Sequence, residues 1–127
     1  MIHEEIVTYK VAKLAKEKGF DEYVEAFYAE DCNTAHTQGP EKWNEYKGRY
    51  AAPTQNLLQR WLREEKGLYI SVEAYPTLAI IRKVCFAWVI KSGSDGHFMK
   101  SNDSLQTFYS YELALEDALK YALEKLV

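Results

Sequence analysis

The chain has 127 residues, of which 47% are hydrophobic, 14% aromatic and 28% charged, with a formal net charge of −3. That is the length of one domain, with enough apolar material to bury a core without disulfide or metal staples. So small a net charge excludes an electrostatic field of the kind that draws a polyanion to a whole protein.

The first element expected is a helix from Thr8 to Lys18. Val7, Val11, Leu14 and Ala15 recur at helical spacing, and Lys10, Lys13, Lys16 and Lys18 lie largely on the opposite side. Thr8 suits the N-cap, Gly19 the residue after the last turn, and Phe20 the apolar contact that accompanies such an ending. Residues 20–52 carry no single period. Tyr23, Val24, Phe27 and Tyr28 fit a helical turn, whereas Val24, Ala26 and Tyr28 fit the alternation of a strand. Asn33 to Pro40 reads as turn chemistry. This aromatic-rich segment is therefore expected to be irregular, either laid over the core or used in binding.

From Pro53 to Lys66 (PTQNLLQRWLREEK) a second helix is expected. Thr54 offers a cap, Leu57, Leu58, Trp61 and Leu62 form one apolar face, and Gly67 ends it. Leu68 to Tyr75 alternates as a half-buried strand does, with Leu68, Ile70, Val72 and Ala74 on one face. Val84 to Ile90 is apolar throughout and reads as a central strand. SGSDG at 92–96 makes a hairpin turn, and a third strand is expected in the window His97 to Ser110, placed at Leu105 to Tyr109. Ser110 to Leu126 closes the chain as a helix capped by Ser110, with Leu115, Ala118, Leu119, Ala122 and Leu126 in one stripe.

The expected fold class is α+β: a three-stranded antiparallel sheet with helices packed on one face, in the order α–(irregular)–α–β–β–β–α, within a single domain over residues 1–127. Trp61 and Trp88 are expected as core anchors, and Cys85 as a small apolar filler.

Chemistry-bearing patterns are sparse. Cys32 and His36 are four apart and Cys85 and His97 twelve apart, but structural zinc sites take close ligand pairs on turns or helix faces and Cys85 sits mid-strand, so no metal is expected. Two cysteines make no disulfide framework. No GxSxG, GxGxxG or GxxxxGK[ST] occurs. The carboxylate pairs Glu4–Glu5, Asp21–Glu22, Glu30–Asp31 and Glu64–Glu65 are sequence neighbours that diverge on a helix. A non-enzymatic protein without a cofactor is expected. The opening MIHEEIVTYK starts with acids and has no apolar run, so no secretory signal is expected. The stretch Leu78 to Ile90 is broken by Arg82 and Lys83 and is too short for a membrane span. The expected location is cytoplasmic.

Charge is unevenly spread. Residues 1–41 hold four lysines and nine acids, residues 42–100 ten bases and five acids, and residues 101–127 two bases and five acids. Two binding modes follow. The aromatic side chains of Tyr23, Phe27, Tyr28, Trp43, Tyr46 and Tyr50 exceed what one small sheet needs inside, and suit contact with a protein, a second copy first. The alternative is RNA contact through the basic middle segment, with Arg60, Arg63, Lys66, Arg82 and Lys83 on phosphates.

Two resemblances bear on these expectations. Helix 53–66, three strands and helix 110–126 are similar in order to a double-stranded-RNA-binding domain over about 75 residues. That family reaches phosphates with a lysine pair at the start of its second helix. Here Tyr111 and Glu112 stand at that place, followed by Glu116 and Asp117, and carboxylates repel a phosphate backbone. The blocks VTYKVAKLAKEKGF (7–20), APTQNLLQRWLREEKG (52–67) and YSYELALEDALKYAL (109–123) resemble recurrent blocks of a family of small uncharacterised proteins from Bacteroidales genomes and their phages. They cover about a third of the chain. The resemblance implies a cytoplasmic protein of prophage or mobile-element origin, for which a host or phage factor is the other candidate partner, and it brings no activity, ligand or site residue with it.

Overall fold

The computed structural model describes residues 4–76, 84–93, 96–103 and 106–127. Three helices join two three-stranded antiparallel sheets, so the fold class is α+β. In chain order the elements are α1 (Tyr9–Glu17), β1 (Val24–Ala29), β2 (Ala35–Glu41), a 3₁₀ turn (Trp43–Glu45), β3 (Arg49–Ala51), α2 (Gln55–Lys66), β4 (Leu68–Pro76), β5 (Val84–Ser92), β6 (His97–Ser101) and α3 (Tyr111–Tyr121). A π-helical turn over Ala122–Leu126 continues α3.

Each helix starts where a short hydroxyl side chain captures a free backbone N–H. Thr8 Oγ1 accepts from Val11 N at 3.4 Å, Thr54 Oγ1 from Leu57 N at 3.2 Å, and Ser110 Oγ from Leu113 N at 3.0 Å. Gly67 ends α2 in the left-handed region at φ 67°, and its N–H donates to the Leu62 carbonyl.

The stripe read in α3 is the centre of the molecule. Leu115, Ala118, Leu119 and Ala122 are fully buried, and Leu126 packs at the margin. α3 touches β4, β5, α2 and α1, α2 covers β4, and α1 rests on β3. Gln55, the buried polar side chain among the described residues, stitches the helix starts together. Its Nε2 donates to Glu112 O and to Glu116 Oε1, both at 2.9 Å. The other carboxylate oxygen of Glu116 accepts from Thr8 N at 2.9 Å and Thr8 Oγ1 at 2.8 Å. One carboxylate thus ties the first turns of α1 and α2 to the body of α3.

The segment expected to be irregular is a second sheet, ordered β2–β1–β3. β1 is its central strand and is packed from both sides, which is why neither a helical nor a strand period stands out in its sequence. Tyr28 points to α1, its hydroxyl donating to Val7 O at 2.6 Å, while Phe27 faces the other way onto Trp43 at 4.5 Å between centroids. Asn33 to Pro40, read as turn chemistry, supplies most of β2, an edge strand that is largely exposed.

In the other sheet, ordered β4–β5–β6, β5 is central as expected. The third strand lies in the expected window His97 to Ser110, but at its start, His97–Ser101, rather than at Leu105–Tyr109. Asn102 then extends the ladder, its N donating to Trp88 O at 3.2 Å and its Oδ1 accepting from Trp88 N at 2.8 Å. Phe108 keeps a single bridge to Phe86, with Phe86 N donating to Phe108 O at 2.8 Å. Leu105 and residues 94–95 of the hairpin turn lie outside the described residues.

Candidate interaction surface

β4 and β5 are nine residues each, roughly 30 Å long at about 3.3 Å per residue, whereas the twelve-residue α2 spans only about 18 Å. A helix shorter than the strands it covers leaves one end of the sheet bare. Near Leu68, Ile70 and Ile90 the inner face is buried. At the far end Ala74 and Val84 are exposed and Phe86 is only half-buried.

The start of α3 meets this overhang. Tyr111 packs edge-on against Phe86 at 6.3 Å, and Phe108 is bridged to the same residue. Leu113 is 61% exposed, Tyr109 58% and Val84 52%, with Tyr111 also exposed. Phe108 and Leu113 continue into a groove of about 390 Å³ between α1 and α3, lined also by Val11, Lys10, Glu116 and Lys120. Leu113 sits about 160° around the helix from Leu115, so it cannot share the buried stripe. That off-stripe leucine is the sequence signal for this surface. Tyr111, Phe86, Phe108 and Leu113 are thus linked in sequence of contact, and exposed apolar side chains beside charges of both signs have the character of an interaction site.

The six aromatic residues expected to form an interface are divided by the fold. Phe27, Tyr28 and Trp43 are buried and Tyr50 is half-buried, so these four serve the protein's own interior. Tyr23 and Tyr46 remain exposed. Tyr28 and Tyr50 stand edge-on to Tyr9 at 5.7 and 5.5 Å on the α1 side of the sheet, while Phe27, Trp43 and Tyr46 cluster on the outer side.

Of the five basic residues named for nucleic acid, Arg82 and Lys83 lie outside the described residues. Arg60 is held by Glu64 at 3.0 Å and shares its depression with Glu22 and Glu65. Arg63 is exposed beside it, and the Lys66 ammonium lies 5.3 Å from the Trp61 ring centre. Glu64 and Glu65 interleave these cations, so Arg60, Arg63 and Lys66 by themselves form no uniform positive face.

The thiol of Cys32 lies 3.6 Å from Thr34 O, and Cys85 is buried in β5. Among the described residues no three His, Cys, Asp or Glu side chains gather as a metal site, and no helix is long and apolar enough to cross a membrane. No protein-family model, curated protein or solved structure matches the chain.

Proposed function

We propose that the protein is a non-enzymatic interaction module, of the mobile-element origin implied by the family resemblance. Its contact surface is the apolar end formed by Val84, Phe86, Phe108, Tyr109, Tyr111 and Leu113, and its first partner is a second copy of the chain. The observation that carries this reading is the exposure of Leu113 and Tyr109 at the start of α3 and of Val84 at the bare end of β5. Water contact with so much clustered apolar surface is unfavourable by about 25 cal/mol per Å², so covering it drives association. The rim favours self-contact: Lys10 and Lys120 border the groove together with Glu116 and Asp117, and a two-fold axis can set opposite charges against each other.

Sedimentation velocity over a range of concentrations tests the proposal. A concentration-dependent dimer that Leu113→Glu converts to monomer is the expected result. A wild-type protein that stays monomeric at every concentration, or a variant dimer as tight as the parent's, refutes it.

A further inference from the structure

The outer aromatic cluster of the first sheet holds a cation. Arg49 Cζ lies 4.9 Å from the Phe27 ring centre, 5.4 Å from Trp43 and 5.5 Å from Tyr46. Three rings around one guanidinium fix its position far better than a surface arginine is usually fixed. The scaffold beneath is itself tied down: Asn44 Nδ2 donates to Phe20 O at 2.7 Å and its Oδ1 accepts from Ala51 N at 2.7 Å, which locks the Trp43–Glu45 turn onto β3. Lys16 adds hydrogen bonds to Tyr46 O at 3.1 Å and Arg49 O at 2.8 Å.

What the cluster lacks is an acceptor. Among the described residues no carboxylate pairs with Arg49, and its guanidinium makes no side-chain hydrogen bond. Trp43 Nε1, in the same cluster, is a buried donor without a partner. Aromatic rings engage the faces of a guanidinium and leave its edge, with the N–H donors, free. An arginine ordered in that way has already lost the side-chain entropy that a flexible one would lose on binding.

We propose that Arg49, cradled by Phe27, Trp43 and Tyr46, is a recognition site for the carboxylate of an acidic segment of a partner protein. A planar carboxylate matches the guanidinium edge with two parallel hydrogen bonds. The surroundings select a carboxylate over a phosphate chain. Lys42 and Lys47 flank Arg49 in sequence, but Glu30, Asp31, Glu41 and Glu45 belong to the same sheet and its turns, so no positive field exists to hold a densely charged backbone. This site lies on the sheet that does not carry the apolar end, and it stands or falls independently of self-association.

The test is a ¹H–¹⁵N titration of the whole protein with a capped Gly–Ser peptide carrying a single glutamate, reading the Trp43 indole and Arg49 Nε–H resonances. Both are expected to shift saturably. R49K, which keeps the charge and loses the fork, should weaken the peptide by about tenfold while its spectrum stays dispersed. Peptide affinity unchanged in R49K overturns the proposal. So do an absence of shifts in the wild type and equal shifts from inorganic phosphate at the same ionic strength.

Discussion

The two sheets solve the same problem with different means. The first, β1 to β3, has rings on both faces and covers both: α1 lies over Tyr28 and Tyr50, and the short Trp43–Glu45 turn folds over Phe27. The second, β4 to β6, has helices on its inner face alone, and they stop short of its end. Its outer face leaves Tyr69, Tyr75 and Phe98 exposed, separated by Ser71, Glu73 and Lys91. Aromatic content therefore does not locate an interface. Whether an element is long enough to cover the rings does, and the end of the second sheet, where Phe86, Phe108, Tyr109 and Tyr111 meet, is the more exposed of the two.

Breaking the helical layer that serves both sheets should produce the largest effect. Leu119 is fully buried in α3, and Leu119→Ala should lower stability by about 2–5 kcal/mol through lost transfer energy and the cavity left behind. Trp43 and Trp88 mark the first and second sheets, and their fluorescence should be lost in one shared urea transition. Two separated transitions would show that the sheets unfold independently. Next in size is Gln55→Ala. Glu116 Oε1 and the Glu112 carbonyl lose their donor, at a cost of about 1–3 kcal/mol in the same assay. A loss well below that range would mean that water replaces the amide, and that the three helix starts are not coupled through it.

The helices were legible because their signals are local. Thr8, Thr54 and Ser110 cap within three residues, and the stripe Leu115–Ala118–Leu119–Ala122 needs only the helical period. β4 and β5 were legible for the same reason. The first sheet was not: β1 is buried on both faces, β2 on almost neither, and β3 is three residues long. None of them shows a period of two. Their pairing depends on contacts such as Asn44 to Phe20 and Tyr28 to Val7, each more than twenty residues apart in sequence. The apolar end was hidden differently, since it is defined by the length of α2 relative to β4 and not by any motif. Leu113 alone carried a readable sign of it, by standing off the stripe.

A smaller effect sharpens the account of the first sheet. The Tyr28 phenol is raised above its ordinary 10.0, first by burial and then by Glu116 and Glu5. Because the folded value is the higher one, its contribution is fully present below about pH 10 and disappears as pH rises through the raised value. Tyr28→Phe should cost about 1 kcal/mol near neutrality, from the lost bond to Val7 O, and should flatten the decline of stability above pH 10. Urea midpoints at pH 7 and above pH 10 check both. An equally steep alkaline decline in the variant would assign it to other groups.

The least effect on stability is expected where the effect on assembly is greatest. Leu113 is the third residue after the Ser110 cap, and Ser110 Oγ already accepts from its N–H. Glutamate at that position completes a capping box, its carboxylate reaching back to the cap N–H, and it places an anion in the first turn where the helix dipole favours one. Little packing is lost, since the side chain is mostly in water. Leu113→Glu should therefore change unfolding free energy by no more than about 0.5 kcal/mol, in either direction. The same change sets a charge in the middle of the apolar end, where a partner would have to desolvate it. Denaturation that is unaltered together with lost self-association separates a surface that holds a partner from one that holds the fold. A variant that unfolds several kcal/mol more easily would instead make Leu113 part of the core, and the exposed end would have no function left to explain.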